Sequence, residues 1–119
     1  MDRERPVDRL LPLRPVEFEI LLSLAAGERH GYGIILDAEA RGLGPAPDVG
    51  TLYRGLRRLQ DQGLIRPSPG HGSSDSHDER RNYCEITAIG RRVAQAEARR
   101  LYALARAARA SGLLRASES

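Results

Sequence analysis

The sequence predicts a mainly α chain of the α+β class: a winged helix-turn-helix with a two-stranded wing, followed by a long C-terminal dimerisation helix. Three observations predict it. Leu52, Leu56 and Leu59 recur at i, i+4 and i+7, the period of one helix face, while Arg54, Arg57 and Arg58 lie on the other. Gly63 stops that helix, and two short extended stretches with a polar loop between them follow. Residues 88–110 then form a helix of about 34 Å at the usual rise per residue, longer than a small domain can cover.

The elements follow in order. Residues 1–14 mix charge with Pro6 and Pro12 and read as a loose arm, docking through Leu10, Leu11 and Leu13. A helix begins at Pro15, a tolerated first-turn position, with Glu17 and Glu19 near the positive end of its dipole, and runs to Gly27. Its wide apolar arc, Phe18, Leu21, Leu22 and Ala25 with Ile20 and Leu24 beside them, predicts burial against a partner subunit as well as its own domain. His30-Gly31 opens a second helix containing Tyr32, Ile35, Leu36 and Ala38 that ends near Gly42, and the turn-rich residues 42–47 form a loop. Asp48 and Thr51 are both suited to cap the arginine-faced helix. Strands are predicted at 64–66 and 81–86, the second with Cys84 and Ile86 alternating with Tyr83 and Glu85. Thr87 can cap the last helix, whose stripe of Ile89, Val93, Leu101, Leu104 and Ala108 is interrupted by Glu97, and fraying is expected from Ser111. The resulting divisions are an arm (1–14), the winged unit (15–87) and a dimerisation helix with its tail (88–119).

Bulk properties narrow the function classes. A chain of 119 residues is one domain, and 40% hydrophobic with 29% charged residues is ordinary for a soluble protein. The longest apolar run, residues 20–26, is broken by Ser23 and falls short of a membrane span of roughly 20 residues. The mixed-charge start does not resemble a signal peptide, so a cytoplasmic location is expected. One cysteine excludes an internal disulfide and a multi-thiolate zinc site. All 19 basic residues are arginine, the better side chain for bidentate phosphate and guanine contacts. Positive charge concentrates in residues 48–67 and 88–110, whereas 15–47 and 68–79 are net acidic, the local footprint of a nucleic-acid binder.

Three blocks in order carry a family resemblance. They are His30-Gly31-Tyr32; Gly50-Thr51-Leu52-Tyr53-Arg54 with Leu56, Leu59 and Gly63-Leu64-Ile65; and Arg80-Arg81-Asn82-Tyr83 leading to Ile86-Thr87 and Gly90-Arg91. With them the chain resembles the PadR-like transcriptional regulators, in the short form with a single C-terminal dimerising helix, over residues 15 to 105. Val49 departs from a usual proline, Gly55 from a commoner alanine, and Cys84 from a frequent aromatic. Gly55 costs a helix up to about 1 kcal/mol relative to alanine, which a close approach to DNA or a neighbouring helix would explain. The resemblance implies a homodimeric DNA-binding regulator, a repressor in particular, that binds an inverted-repeat operator and is released by a small effector.

On that reading Gly50 and Thr51 offer backbone N–H groups and a hydroxyl to phosphate, and Tyr53 adds its own hydroxyl. Arg54, near the helix start, reads a base edge, while Arg57 and Arg58 hold the sugar-phosphate backbone. Arg80 and Arg81 grip phosphates or the minor groove from the wing. Ile20, Leu24, Val93, Leu101, Leu104 and Ala108 are assigned to the dimer contact. The duller account of the arginines is a solvated helix face, and the competing function is a winged-helix protein-interaction module that does not read DNA.

Other residues take bland readings. His71, Asp75, His77 and Asp78 are irregularly spaced on a Gly/Ser-rich loop and read as polar linker rather than metal ligands. His30 is assigned to the turn between the first two helices, and Cys84 to the core, since a redox role requires a lowered thiol pKa. No cofactor, metal or membrane partner is expected, and no nucleophile-base pairing or phosphate-binding glycine loop argues for an enzyme. With no Trp and one Phe, a small apolar cleft suits an effector better than a flat aromatic cavity.

Overall fold

The computed structural model describes residues 7, 9–68 and 83–115. The described elements are α1 (Pro15–Ala25), α2 (Gly31–Arg41), α3 (Val49–Asp61), β1 (Ile65–Pro67), β2 (Cys84–Ile86) and α4 (Ala88–Ala110). Their order and packing are those of a winged helix-turn-helix with a long C-terminal helix. Helix α1 is the hub, packed against α2, α3, α4 and β2. Pro15 lies in its first turn, and it ends at Ala25, two residues before the expected Gly27. Ile20, Leu21 and Leu24 are fully buried along it. Helix α2 starts where the His30 side chain accepts a hydrogen bond from the Gly33 N–H at 3.0 Å. Its inward residues are Ile34 and Ala38, with Tyr32 and Leu36 turned outward.

Helix α3 buries its leucine face, with Leu52 and Leu59 at 0% exposure and Leu56 beside them. Gly55 lies against α1: a Cβ there would stand 3.0 Å from Ile20 Cδ1 and 3.6 Å from Val16 Cγ1. The close approach is therefore to the neighbouring helix. Gly63 adopts a left-handed conformation (φ 77°). The Leu64 N–H reaches Leu59 O at 2.9 Å and the Gly63 N–H reaches Gln60 O at 3.0 Å, a Schellman closure with buried Leu59 and Leu64. This closure uses the Leu64 N–H, so β1 begins at Ile65, one residue later than expected.

The strands pair antiparallel with Ile65 opposite Ile86, Arg66 opposite Glu85 and Pro67 opposite Cys84. Arg66 and Glu85 add an ion pair across the ladder at 2.6 Å. A third segment, unforeseen from sequence, joins them. Arg29 exchanges backbone hydrogen bonds with Cys84 at 2.8 and 3.1 Å, tying the α1–α2 turn to the sheet. Residues 81 and 82, included in the expected second strand, lie outside the described residues, as do 69–80 of the wing tip.

Helix α4 spans the expected residues. The Thr87 hydroxyl accepts from the Gly90 N–H at 3.0 Å and donates to Gly63 O at 2.7 Å. At the far end, Gly112 (φ 86°) and a Leu113 N–H to Ala108 O bond of 2.8 Å close the helix in a second Schellman turn. Ser111, where fraying was expected to begin, is thus held by local hydrogen bonds; residues 116–119 are outside the described set. No helix among the described residues is long and apolar enough to cross a membrane.

The inner half of α4 rests on α1 and on the arm. Val7 and Leu13 of the arm are buried, and Leu10 and Leu11 pack against the core. Glu97, which breaks the apolar stripe, is buried at 1% exposure. Its carboxylate accepts the Leu13 N–H at 3.1 Å and the Arg100 guanidinium at 2.6 and 2.9 Å. The interruption in the stripe is therefore a latch for the arm. Three assignments to the dimer contact are corrected here: Ile20, Leu24 and Val93 are 0–1% exposed inside the protomer's own core and present no surface to a partner. Of the apolar arc of α1, Ile20, Leu21 and Leu24 are covered within the protomer, whereas Leu22 and Ala25 stay exposed. Leu101 and Leu104, by contrast, are exposed, and Ala108 is half-buried.

The Arg100 side chain, foremost, and the Leu13 N–H hold the Glu97 carboxyl below its ordinary value near 4.5, against the opposing effect of burial. A depressed folded-state pKa gives stability that is full above the ordinary value and drains as pH falls through and below it. Glu97→Gln is expected to destabilise the fold by about 1–3 kcal/mol at pH 7, the range for hydrogen bonds to charged groups. The deficit relative to the parent should shrink below pH ~4.5. Urea unfolding at pH 7 and in the acid limb checks this; an equal deficit at both would exclude the charged carboxylate as its source.

Candidate nucleic-acid interface

The outward face of α3 is set by what its inward face buries. With Leu52, Leu56 and Leu59 in the core, Tyr53, Arg54 and Arg57 face solvent side by side, and Gly50 is exposed at the helix start. Asp48 is the cap of the two candidates, its carboxylate accepting the Thr51 N–H at 2.7 Å. That backbone hydrogen bond, foremost, and the nearby Arg54 charge hold the Asp48 carboxyl below its ordinary range. The proposed use of the Thr51 N–H for phosphate is therefore corrected: Asp48 already fills that position with a negative charge. The Thr51 hydroxyl instead accepts from Arg54 Nη2 at 3.2 Å.

The three arginines have different environments. Arg54 is directed by Thr51 toward the helix start. Arg57 makes no ion pair with any described residue and lines an open cleft of about 270 Å³ with Tyr53, Gln60, Pro67, Tyr83 and Cys84 on the wing side. Arg58 donates from Nε to Glu17 at 2.7 Å, where the Glu17 side chain is 3% exposed and that of Arg58 48%. Arg58 thus neutralises a buried carboxylate of α1, which sets the lateral position of α3. On the opposite flank a second cleft, about 190 Å³, lies between Thr51, Arg54 and Arg58 of α3 and Arg14, Val16 and Glu17 at the start of α1. Sequence reasoning missed the roles of Glu17, Gln60 and Arg14 at this face. Glu17 and Arg14 come from the start of α1 and reach this face only by helix crossing, which no periodicity reveals, whereas Gln60 follows Arg57 by three positions on α3 itself.

Tyr53 lies over the start of α2: a Cβ on Gly31 would stand 2.7 Å from its hydroxyl. The Gly31 position thus lets the ring lie down and leaves Tyr53 42% exposed. His30 takes the structural place expected of it, capping α2 and meeting Tyr83 edge-on at 5.1 Å. Burial pushes the Cys84 thiol up, the opposite of what a reactive thiolate requires. Arg80 and Arg81, and the loop residues His71, Asp75, His77 and Asp78, lie outside the described residues. Among the described residues no group of three or more His, Cys, Asp or Glu is placed to hold a metal ion.

Comparison with known proteins agrees with this arrangement. The Transcriptional regulator PadR-like family matches residues 20–96. Among solved structures, a PadR family transcription regulator from hypervirulent Clostridium difficile R20291 superposes with a TM-score of 0.65 at 20% identity, covering 79% of this chain and 94% of that one. A protein of Thermoplasma acidophilum named as a transcriptional regulator gives 0.58 at 23% identity over 76% and 82% of the two chains. The protein smu.1704 of Streptococcus mutans UA159 gives 0.58 at 20% identity over 84% and 90%. At these identities the structural likeness establishes the fold. No protein of curated function matches the sequence.

The Asp48 cap makes a local prediction. Asp48→Ala should speed amide exchange at Thr51 and lower the helicity of the first turn of α3, leaving the exchange of Leu59 unchanged. In the parent, the cap should persist through the ordinary aspartate range and weaken only as pH falls below it, since the folded carboxyl is depressed. Hydrogen exchange followed by NMR reads both effects; protection at Thr51 that is indifferent to the substitution would reject the cap.

Proposed function

Since the chain belongs to the PadR-like family of transcriptional regulators, we propose that it acts as a homodimeric repressor that places α3 of each protomer in a major groove of an inverted-repeat operator. The observation that carries this reading is the adjacency of Tyr53, Arg54 and Arg57 on the solvent face of a helix whose other face is locked in the core. Arg54 reads a base edge near the helix start, and Gly50 lets the backbone come close. Tyr53 and Arg57 hold phosphates on the wing side; Arg80 and Arg81, outside the described residues, keep the phosphate or minor-groove role the sequence assigns them. Thr51 acts through Arg54, and the exposed half of the Arg58 fork adds positive charge while its Nε stays on Glu17.

Dimerisation is assigned to the outer half of α4. A shallow apolar cleft of about 170 Å³ lies between Phe18, Leu22 and Ala25 of α1 and Ala94 and Ala98 of α4. Leu101, Leu104 and Ala108 continue that side of α4 past the start of α1; among the described residues Leu101 and Leu104 are exposed and Ala108 is half-buried. A second α4 laid antiparallel along this line would bury both sets at once. It would also fix the two α3 helices near one DNA turn, about 34 Å apart. The same cleft suits a small apolar effector, which would release the operator by altering that separation.

The test is a binding titration against the upstream region of the protein's own gene, with random competitor and varied salt. Specific, salt-dependent binding supports the reading; no duplex affinity at physiological salt overturns it in favour of a protein-interaction module. Arg54→Ala should cost about 1–3 kcal/mol on the operator and relax preference at one base position. Arg57→Ala should weaken operator and random duplex alike and reduce the salt slope. Identical losses on both duplexes for the two variants would reject this division of roles. Leu104→Glu should sediment as a monomer with greatly weakened operator binding, and an unchanged sedimentation profile would remove the outer half of α4 from the dimer contact.

A further inference from the structure

A helix seated in the major groove is bordered by two sugar-phosphate strands, one on each side of it. The wing accounts for one border. The other side of α3 faces the cleft between α3 and the start of α1, and the sequence assigned no residue of α1 or the arm to it. Thr51, Arg54 and Arg58 stand one helical turn apart along that flank, and across from them is Arg14. Arg14 is exposed, and its backbone is fixed because its carbonyl accepts the Phe18 N–H at 3.0 Å as the N-cap of α1. Three guanidinium groups therefore line one cleft of about 190 Å³ against a single carboxylate, Glu17, which is already neutralised by Arg58. Asp48, the acid that caps α3, does not line this cleft.

We propose that Arg14, with the outer edge of Arg58, binds a backbone phosphodiester of the DNA strand on the side of α3 away from the wing. The inference rests on the DNA-binding reading and adds to it a contact from the arm–α1 junction. Arg14 supplies positive charge that is independent of base identity, so its contribution is to affinity and register and not to sequence preference. Its place at the end of the arm has a consequence. Leu13, the preceding residue, is held by Glu97 of α4, so the phosphate contact is anchored to the same helix that sets the dimer spacing.

The experiment compares the full-length parent with Arg14→Ala and Arg14→Lys on operator and random duplexes over a salt series. Arg14→Ala should weaken both duplexes by the same factor, roughly three- to tenfold, and lower the magnitude of the salt slope by about 0.9, the value for one phosphate. Arg14→Lys should restore most of the slope, and circular dichroism should show all three folded. In a scan of single methylphosphonates, the parent should lose affinity at one flank position to which Arg14→Ala is indifferent. An unchanged salt slope in Arg14→Ala, with the parent binding normally, overturns this contact alone. A parent without salt-dependent duplex affinity overturns the DNA-binding reading and the contact with it. If millimolar inorganic phosphate stabilises the parent but not Arg14→Ala, and the DNA salt slope is the same for both, the cleft takes a free anion and the proposal fails.

Discussion

The geometry of this molecule depends on the junction where the end of α3 meets the start of α4. Gly63 and Leu64 offer their carbonyls outward after the Schellman turn, and Thr87 takes both: its hydroxyl donates to Gly63 O at 2.7 Å and its N–H to Leu64 O at 3.0 Å. Gly90 lets α4 come down on this turn, since a Cβ there would stand 2.0 Å from Leu64 O. No rotamer can relieve a clash with a backbone oxygen. The angle between the arginine-faced helix and the long helix is thus fixed by main-chain contacts, which tolerate little play compared with side-chain packing. Any function that depends on the relative placement of these two helices inherits that rigidity.

Helix α1 transmits the same constraint from the other side. It is covered on three faces, and each cover includes a buried polar anchor as well as apolar packing. Glu17 holds Arg58 of α3, Ser23 and Glu19 hold Arg41 of α2, and Glu97 of α4 holds the arm that leads into α1. A buried carboxylate is costly unless it is paired and hydrogen-bonded. Glu17 and Glu97 both meet that condition, and each pairing defines where one element lies along another. Apolar burial drives the assembly, while these pairs join named positions of α1, α3, α4 and the arm.

The outward face of α3 has a corresponding economy. Arg54 is oriented by a neighbour on its own helix, Arg58 is shared with the core, and Arg57 is held over the wing-side cleft. Identical side chains within five positions therefore differ in freedom, and with it in the contacts they can make. The acidic cap at Asp48 sharpens this distinction, because it occupies the Thr51 N–H and leaves the Thr51 hydroxyl to orient Arg54.

Taken alone, the sequence determined the elements and their order. The spacing of Leu52, Leu56 and Leu59, the stop at Gly63, the opening at His30-Gly31, and the capping residues at 48 or 51 and at Thr87 are local signals that depend on neighbours within a few positions, and helices α2, α3 and α4 formed where those signals placed them. The tertiary structure decided which apolar residues are internal and which arginines are occupied. Ile20, Leu24 and Val93 have the same character and period as Leu101 and Leu104, but only the crossing of α1 with α4 determines that the first three are enclosed. The partnership of Arg58 with Glu17, forty-one positions away, the latch from Glu97 to Leu13, and the bridge from Arg29 to Cys84 likewise have no local signature. Each joins residues distant in the chain, and such contacts exist only after the helices have packed, because packing, not periodicity, brings their atoms within hydrogen-bonding range.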